Sequence, residues 1–445
     1  MLTRLVGNGF SCMDKAGGEI MVAALKKTPR YAWVMLILVI LAKFSTDGFM
    51  CAGTSPLLPF AAKEMHLSQS QVGFIWGAIP FGMLITAVLG GILADRFGVK
   101  RVLSIAIIFA TVTGGTRFFA HSYSIFWLTM FLMGLGMGAT IPNLTKVVGI
   151  WFEGTRRLAQ ANGILIAGYF VGAGLAMALS AGVLVPLVGG WRQTFLLYAG
   201  TGIALWVPWL LAARERKSAG SYAQLLEAQP SFWEALRHVF SIRQLWFLCI
   251  VELFVIGGEI AFHGMMPDIL VRDVGMTPGT AGLFTSMASW AAVPGVIAGS
   301  WLSDRLGLRR KIVLSALFAN VGFLLAIGLL LHTFIPLFIV IILSGFSIGI
   351  FIPLIRTIVV ELKGIGPILA GSAYGAIFTF NRLGGFVIPW LMGIVLDMTH
   401  QAFLGFAFLA GVALLGALLF IPVKETGPQK NLSEAKAFLG GGPGR

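Results

Sequence analysis

Lys43, Asp47, Glu252, Glu259, His263 and Arg382 all stand inside long apolar runs of this 445-residue chain. A charge facing hydrocarbon costs roughly 3 kcal/mol or more, so groups of this kind face protein or a wet cavity and are candidates for function. Asn381-Arg382 interrupts one such run near its middle. The guanidinium is always charged and presents a planar fork that matches carboxylates and other oxyanions. Arg382 is therefore the first candidate contact for an anionic solute, with Lys43 as a second cation and Asn381, Tyr374, Tyr169 and Asn143 as neutral partners. A structural pairing of Arg382 with Glu252, Glu259 or Asp47 is the alternative.

Lys43 and Asp47 are spaced i, i+4 and share one face of a helix, where they can pair. Glu259 and His263 follow Glu252 by seven and eleven residues, which is one stripe of a helix. A partly desolvated carboxylate beside an imidazole that titrates near neutrality is proton-relay chemistry. The other reading places Glu259 and His263 as hydrated polar residues near a pore mouth. Catalytic motifs are missing from the sequence: it has no phosphate-binding glycine loop ending in Lys and Ser/Thr, no metal-spaced His/Cys set and no nucleophile elbow. An enzyme and an ATP-driven pump are both disfavoured, and no cofactor or metal is expected.

The elements that must position these charges follow from composition. The chain is 57% hydrophobic and 11% charged, whereas soluble domains carry about 25% charged residues. Apolar stretches recur from Tyr31 to Val423, each near the roughly 20 residues that carry a helix across about 30 Å of hydrocarbon. No sustained period-2 alternation supports a barrel. The expected helices are about 32–58, 72–94, 100–120, 124–149, 158–185 and 193–212, then 244–267, 279–302, 311–331, 335–360, 368–395 and 402–423. The fold class is thus an all-α membrane protein of twelve transmembrane helices in two six-helix bundles. Its expected divisions are a cytoplasmic tail at 1–30, bundles at 31–212 and 244–423, a cytoplasmic connector at 213–243 with an interfacial amphipathic stretch from Phe232 to His238, and a disordered tail at 424–445. The 57 glycines suit close helix contact in lipid. Cys12, Cys51 and Cys249 are too few and too scattered for a disulfide framework and are read as packing thiols. No cleavable leader is apparent in the first 30 residues.

Net charge is +14, and its placement decides its meaning. Lys26, Lys27, Arg30, Arg96, Lys100, Arg101, Arg156, Arg157, Arg214, Arg216, Lys217, Arg305, Arg309, Arg310 and Lys311 border the helices on one side, while the other side holds mainly Lys63, Arg117, Arg192 and Arg272. The positive-inside rule puts the rich side and both termini in the cytoplasm, with the protein in the cell's inner (plasma) membrane. Nucleic acid is not the expected partner. Lipid and a small solute are, and a monomer is expected.

The two halves repeat. Gly91-Ile-Leu-Ala-Asp95-Arg-Phe-Gly-Val-Lys-Arg101 returns 209 residues later as Ser300-Trp-Leu-Ser-Asp304-Arg-Leu-Gly-Leu-Arg-Arg310. Gly134, Gly138 and Pro142 return 211 residues on as Gly345, Gly349 and Pro353, and Gly163 returns 212 residues on as Gly375. Such duplication implies a pseudo-two-fold axis with the solute near the midplane between the halves. The same 209-residue shift puts Lys43 on Glu252, from which a Lys43–Glu252 ion pair between the halves is expected.

Asp95-Arg96 with Gly98 and Lys100-Arg101, and its copy Asp304-Arg305 with Gly307 and Arg309-Arg310, resembles the loop signature of the major facilitator superfamily. Gly190-Trp-Arg-Gln-Thr-Phe195 is similar to another of its recurring segments. The resemblance implies that Asp95, Arg96, Asp304 and Arg305 form a cytoplasmic gate. In such a gate the aspartates accept charge-assisted bonds from basic groups or cap a helix N-terminus. Subfamily signals are mixed. Ile79-Pro80 through Asp95 and the run Ala298 to Asp304 are similar to nitrate and nitrite porters, while Thr54-Ser-Pro-Leu-Leu-Pro59 is similar to the cyanate-transporter-like group. The arginines that nitrate porters carry eight residues before each aspartate are replaced here by Ala87 and Val296. Met130 stands where many proton-coupled members have an arginine, and the fifth helix lacks the Gly-Pro pair of drug/proton antiporters. The placement of Arg382 resembles that of organic-anion exchangers with a basic residue in helix eleven.

The sequence thus reads as a secondary transporter of a small anionic organic solute working by alternating access, as symporter or antiporter, with protons as a candidate coupling ion. Two rivals stay open: proton-driven efflux of a lipophilic or cationic compound through Asp47, Glu252 and Glu259, and a transporter-like sensor or assembly protein.

Overall fold

A computed structural model of the chain describes residues 28–155, 157–216 and 232–427. Most of the two tails and the middle of the connector lie outside the described residues. Twelve helices in it are long and apolar enough to cross a membrane. In chain order they are α1 Arg30–Glu64, α2 Gln69–Phe97, α3 Val99–Phe119, α4 Tyr123–Trp151, α5 Gln160–Val188, α6 Trp191–Ala212, α7 Arg243–Arg272, α8 Pro278–Leu306, α9 Arg310–Leu329, α10 Phe334–Glu361, α11 Leu369–Thr399 and α12 Ala402–Phe420. Strands are absent among the described residues. Helices satisfy their own backbone groups, which lipid cannot do. Large apolar side chains such as Ile105, Leu187, Leu211, Ile297, Leu329 and Met398 stand outward, a surface that suits acyl chains and not water.

Several helices run past the expected ends, α1 to Glu64 and α7 to Arg272. The apolar stretch marks only the part inside hydrocarbon; polar turns continue the helix beyond it. The larger departure is inside α1. Its regular α-helix stops at Lys43, continues as a π-helical segment Phe44–Cys51 and a 3-10 segment Ala52–Leu57, and resumes as α-helix at Leu58–Glu64. Pro56 lacks a backbone N–H and cannot sit in an undisturbed α-helix, which accounts for part of the change. Wide turns of this kind concentrate at functional positions.

The duplication holds at the level of contacts. Gly48 on α1 faces the Gly172 backbone on α5, where an added methyl would lie 3.2 Å from the carbonyl carbon. Its copy Gly257 on α7 faces Gly384 on α11, where an added methyl would lie 2.7 Å from that carbonyl carbon. Gly134 likewise packs on the Ile79 carbonyl, and its copy Gly345 on that of Ala288. The absence of a side chain is what lets each helix pair close.

Two seams join the halves, α2 against α11 and α5 against α8, with α7 crossing α1 and α2. The hydrogen bonds across these seams gather away from the Asp95 and Asp304 loops. Asp397 on α11 accepts from the backbone N–H groups of Gln69 and Ser70 at 2.7 and 2.9 Å. Arg272 donates to the Leu67 carbonyl at 3.1 Å, and the Trp76 indole donates to the Ile260 carbonyl at 2.8 Å. The Ser55 hydroxyl donates to the His263 carbonyl. The end bearing Asp95 and Asp304 is called the basic end below, and the other the far end. The connector forms a helix, Phe232–Ser241, that packs on α7 and α11.

Candidate functional site

The irregular turns of α1 begin just after Lys43 and carry Asp47. Lys43 Nζ lies 3.5 Å from Asp47 Oδ1, and the Thr46 hydroxyl donates to Asp47 Oδ2 at 3.1 Å. The Lys43 ammonium also sits 4.9 Å from the Tyr169 ring centroid, a cation–π contact with α5. The expected Lys43–Glu252 pair is not made in this conformation. Glu252 is buried and accepts instead from the Asn381 side-chain amide at 2.7 Å. Helix α7 meets α11 through the Gly257–Gly384 contact, which brings Asn381 to Glu252, whereas Asp47 is one turn from Lys43 on the same helix.

Arg382 is held differently from every carboxylate in the core. Its guanidinium lies 4.5 Å from the Phe378 ring centroid, and Nη1 points across the α2–α11 seam to the Met83 sulfur at 3.7 Å. Its Nε is buried without a hydrogen-bond partner. Asp47, Glu252, Tyr169 and Cys51 are its electrostatic neighbours, and among the described residues it forms no ion pair to a carboxylate. The structural pairing left open for Arg382 is therefore not taken up here. Asn381 also keeps one buried oxygen, Oδ1, without a partner. Polar atoms of this kind cost free energy unless something fills the gap.

Glu259 and His263 form a compact pair apart from Glu252, which is held by Asn381. His263 Nδ1 is 3.1 Å from Glu259 Oε1, and Nε2 is 3.1 Å from the Ser289 hydroxyl on α8. Ser289 in turn approaches the Met177 sulfur at 4.0 Å, so this chain of contacts ends on the α5–α8 seam. Two of the proposed neutral contacts lie elsewhere. The Asn143 amide donates to the Gly90 carbonyl at 2.9 Å, joining α4 to α2. The Tyr374 hydroxyl donates to the Arg356 carbonyl at 2.6 Å, joining α11 to α10. Both residues serve contacts within one half in this conformation.

At the basic end Asp95 pairs with Lys146 of α4. Asp304 pairs with Arg309 at 2.6 Å, and Arg309 also reaches Glu361 at 3.6 Å. Each aspartate is thus held inside its own half. Arg96 and Arg305 are exposed and lie over the rings of Phe97 and Trp301. A matched pair of glutamates completes this end. Glu215, after α6, accepts from the N–H groups of Val99 and Lys100 at 2.9 Å each, capping α3. Glu425, after α12, accepts from those of Arg309 and Arg310 at 2.7 and 3.1 Å, capping α9. These two residues lie 210 residues apart, and that spacing was the available signal in the sequence.

Partial burial pushes the Glu425 carboxyl up, but the bonds from Arg309, Arg310 and Gly427 outweigh it and hold the group below the ordinary carboxylate value of about 4.5. A native value below the unfolded one means that Glu425 adds stability above that ordinary range and loses it as pH falls toward the native value. Glu425→Gln is expected to lower thermal stability at neutral pH by about 1 kcal/mol, the usual worth of a helix cap. The gap from the parent should close on acidification, read by melting curves in detergent across pH 3–7.

Arg117, expected among the sparse charges of the far side, is wholly buried. It donates to the Gly114 carbonyl and the Thr54 hydroxyl and lies 4.2 Å from the Phe195 ring centroid. It ties α3 to the 3-10 segment of α1 and is no surface charge. Its removal from the far-side tally deepens the charge asymmetry.

Comparison with known proteins agrees with this architecture. A family model described as Major Facilitator Superfamily matches residues 37–265 and 248–441. The hexuronate transporter of Bacillus subtilis is 24% identical over 379 residues, covering 82% of this chain and 88% of its own. The gentisate transporter of Corynebacterium glutamicum is 27% identical over 370 residues, covering 80% of each chain. A crystal structure of the nucleoside transporter NupG superposes with a TM-score of 0.69 at 14% identity, covering 87% of this chain and 99% of that one.

Proposed function

Because the chain belongs to the major facilitator superfamily, it is a multi-pass membrane transporter, and we propose that its cargo is a small organic carboxylate bound at Arg382. The observation that carries this reading is a half-buried guanidinium at the seam between the halves, its Nε buried without a partner, that makes no ion pair to a carboxylate among the described residues. An arginine in that condition gains most from an incoming oxyanion. The carboxylates, by contrast, are engaged: Asp47 by Lys43, Glu252 by Asn381 and Glu259 by His263. That distribution favours an anionic cargo over the cation-efflux alternative. The relatives named for hexuronate and gentisate both carry acids. Phe378 beside Arg382 and Tyr169 beside Lys43 give flat apolar faces next to the cations, which suit an aromatic acid better than a sugar acid.

In this reading the halves rock about the midplane, and the contacts gathered at the far end correspond to a state closed there and open at the basic end. Positive-inside charge places the basic end in the cytoplasm. Glu259, His263 and Glu252 are the candidate proton carriers. The test is uptake of radiolabelled gentisate into proteoliposomes, with competition by benzoate, by a hexuronate and by benzamide. Benzoate should compete strongly, the hexuronate weakly and the uncharged amide hardly at all. Flux of organic cations with no carboxylate competition would overturn the reading. Collapsing an imposed pH gradient should slow uptake if protons are coupled, and Glu252→Gln or Glu259→Gln should remove that dependence.

A further inference from the structure

We propose that Asp397 is a positioning residue for transport, a carboxylate latch that holds the far end shut by capping α2 across the α2–α11 seam. The first N–H groups of any helix lack intrahelical partners. In α2 every one is accounted for: the Ser68 N–H goes to the Gln71 side chain at 3.0 Å, that of Gln71 to the Ser68 hydroxyl at 3.2 Å, and those of Gln69 and Ser70 to the two oxygens of Asp397. Two of these bonds come from the other half of the molecule. Helix α2 thus has a finished N-terminus only while the halves touch at the far end. The same turn is gripped a second time, since Arg272 of α7 donates to the Leu67 carbonyl. A carboxylate at a helix N-terminus also meets the positive end of the macrodipole.

The matching seam, α5 against α8, carries no such device. The 212-residue register that relates α5 to α11 puts Val185 where Asp397 stands. Helix α8 begins with Pro278, which has no N–H, and its Thr277 side chain accepts from the Thr280 N–H at 3.2 Å. There the halves meet through Gly182 and Gly279, whose backbones touch. One seam is held by close packing and the neutral Ser289–Met177 contact, the other by close packing plus a carboxylate. Asp397, which lies apart from the proposed cargo site, therefore adds to the far-closed state a charged contact that the matching seam lacks.

This inference rests on the rocking of the two halves but not on the identity of the solute. Spin labels at Lys63→Cys and Gln401→Cys, both exposed at the far end on opposite halves, would be introduced with the native cysteines replaced and the protein placed in lipid nanodiscs without substrate. Pulsed electron resonance should show mainly a short distance in the parent. In Asp397→Asn the ratio of short to long distances should fall about tenfold, because the amide keeps an acceptor but loses the charge. Asp397→Glu should restore most of the short population. Thr277→Ala, which removes the side-chain cap of α8 inside one half, should lower thermal stability and leave the ratio unchanged, separating a latch from a general structural role. A parent that shows both distances and an Asp397→Asn variant with the same ratio would overturn the latch alone. One fixed distance in every variant and condition would overturn the latch and the rocking together.

Discussion

Arg382→Gln is expected to cut carboxylate uptake by two to three orders of magnitude while leaving the protein folded. Losing one partner of a buried charge contact costs about 2–5 kcal/mol, and each 1.4 kcal/mol is tenfold. The loss should fall on cargo binding, because Arg382 makes no ion pair whose removal would strand a carboxylate. Its contacts are the Phe378 ring and the Met83 sulfur, both soft and replaceable. Arg382→Lys should recover charge but not the planar fork, and so restore only part of the affinity. Melting curves and carboxylate uptake measured side by side check this. Normal uptake by Arg382→Gln would remove the anion site proposed here, and a collapsed melting temperature would reassign the residue to structure.

The second large effect is expected at the pair Lys43–Asp47. Both side chains are nearly buried, 15% and 7% exposed. Removing one member of a buried pair commonly costs about 3–5 kcal/mol because the other is left uncompensated. Asp47→Asn should come near the low end, since the Thr46 hydroxyl and the Tyr169 ring still engage the groups that stay. The double variant Lys43→Gln, Asp47→Asn should regain most of the stability, because no charge is then stranded. Uptake should remain impaired in the double variant, since the ammonium beside Tyr169 is gone from the cargo site. Thermal unfolding of the two single variants and the double variant gives the coupling energy directly. Independent, additive effects would show that the two groups do not act as a pair.

Much of the fold is legible without coordinates because lipid is an exacting solvent. Unpaired backbone groups are not tolerated in hydrocarbon, so each apolar stretch of about 20 residues becomes a helix. The doubled Asp-Arg segment and the register of the glycines carry the pseudo-symmetry down to which helices touch: Gly48 meets Gly172 as Gly257 meets Gly384. Arg382 and Lys43 stand out in the sequence as charges costly to bury without purpose and Tyr169 as a neutral partner, and Tyr169 neighbours both cations in the structure.

Other assignments were beyond the sequence. Shift arithmetic puts Lys43 and Glu252 at equal depth on related helices, but depth does not make two side chains face each other. Lys43 found Asp47 one turn away, and Glu252 found Asn381 on a helix 129 residues later in the chain. Arg117 reads as a far-side charge near the end of the third helix until packing is seen to turn it inward to Thr54. Asp397, Glu215 and Glu425 look like ordinary polar residues at helix ends; only packing shows that each completes the N-terminus of another helix.

The sequence by itself determined the solvent, the number of helices, their duplication and the few ionised groups that need a reason to be buried, because each of these follows from local composition set against the cost of hydrocarbon. Only the tertiary structure decided which charge is paired and which is left open, and at which end hydrogen bonds join the two halves. Those outcomes depend on distances of a few ångströms between residues far apart in the chain.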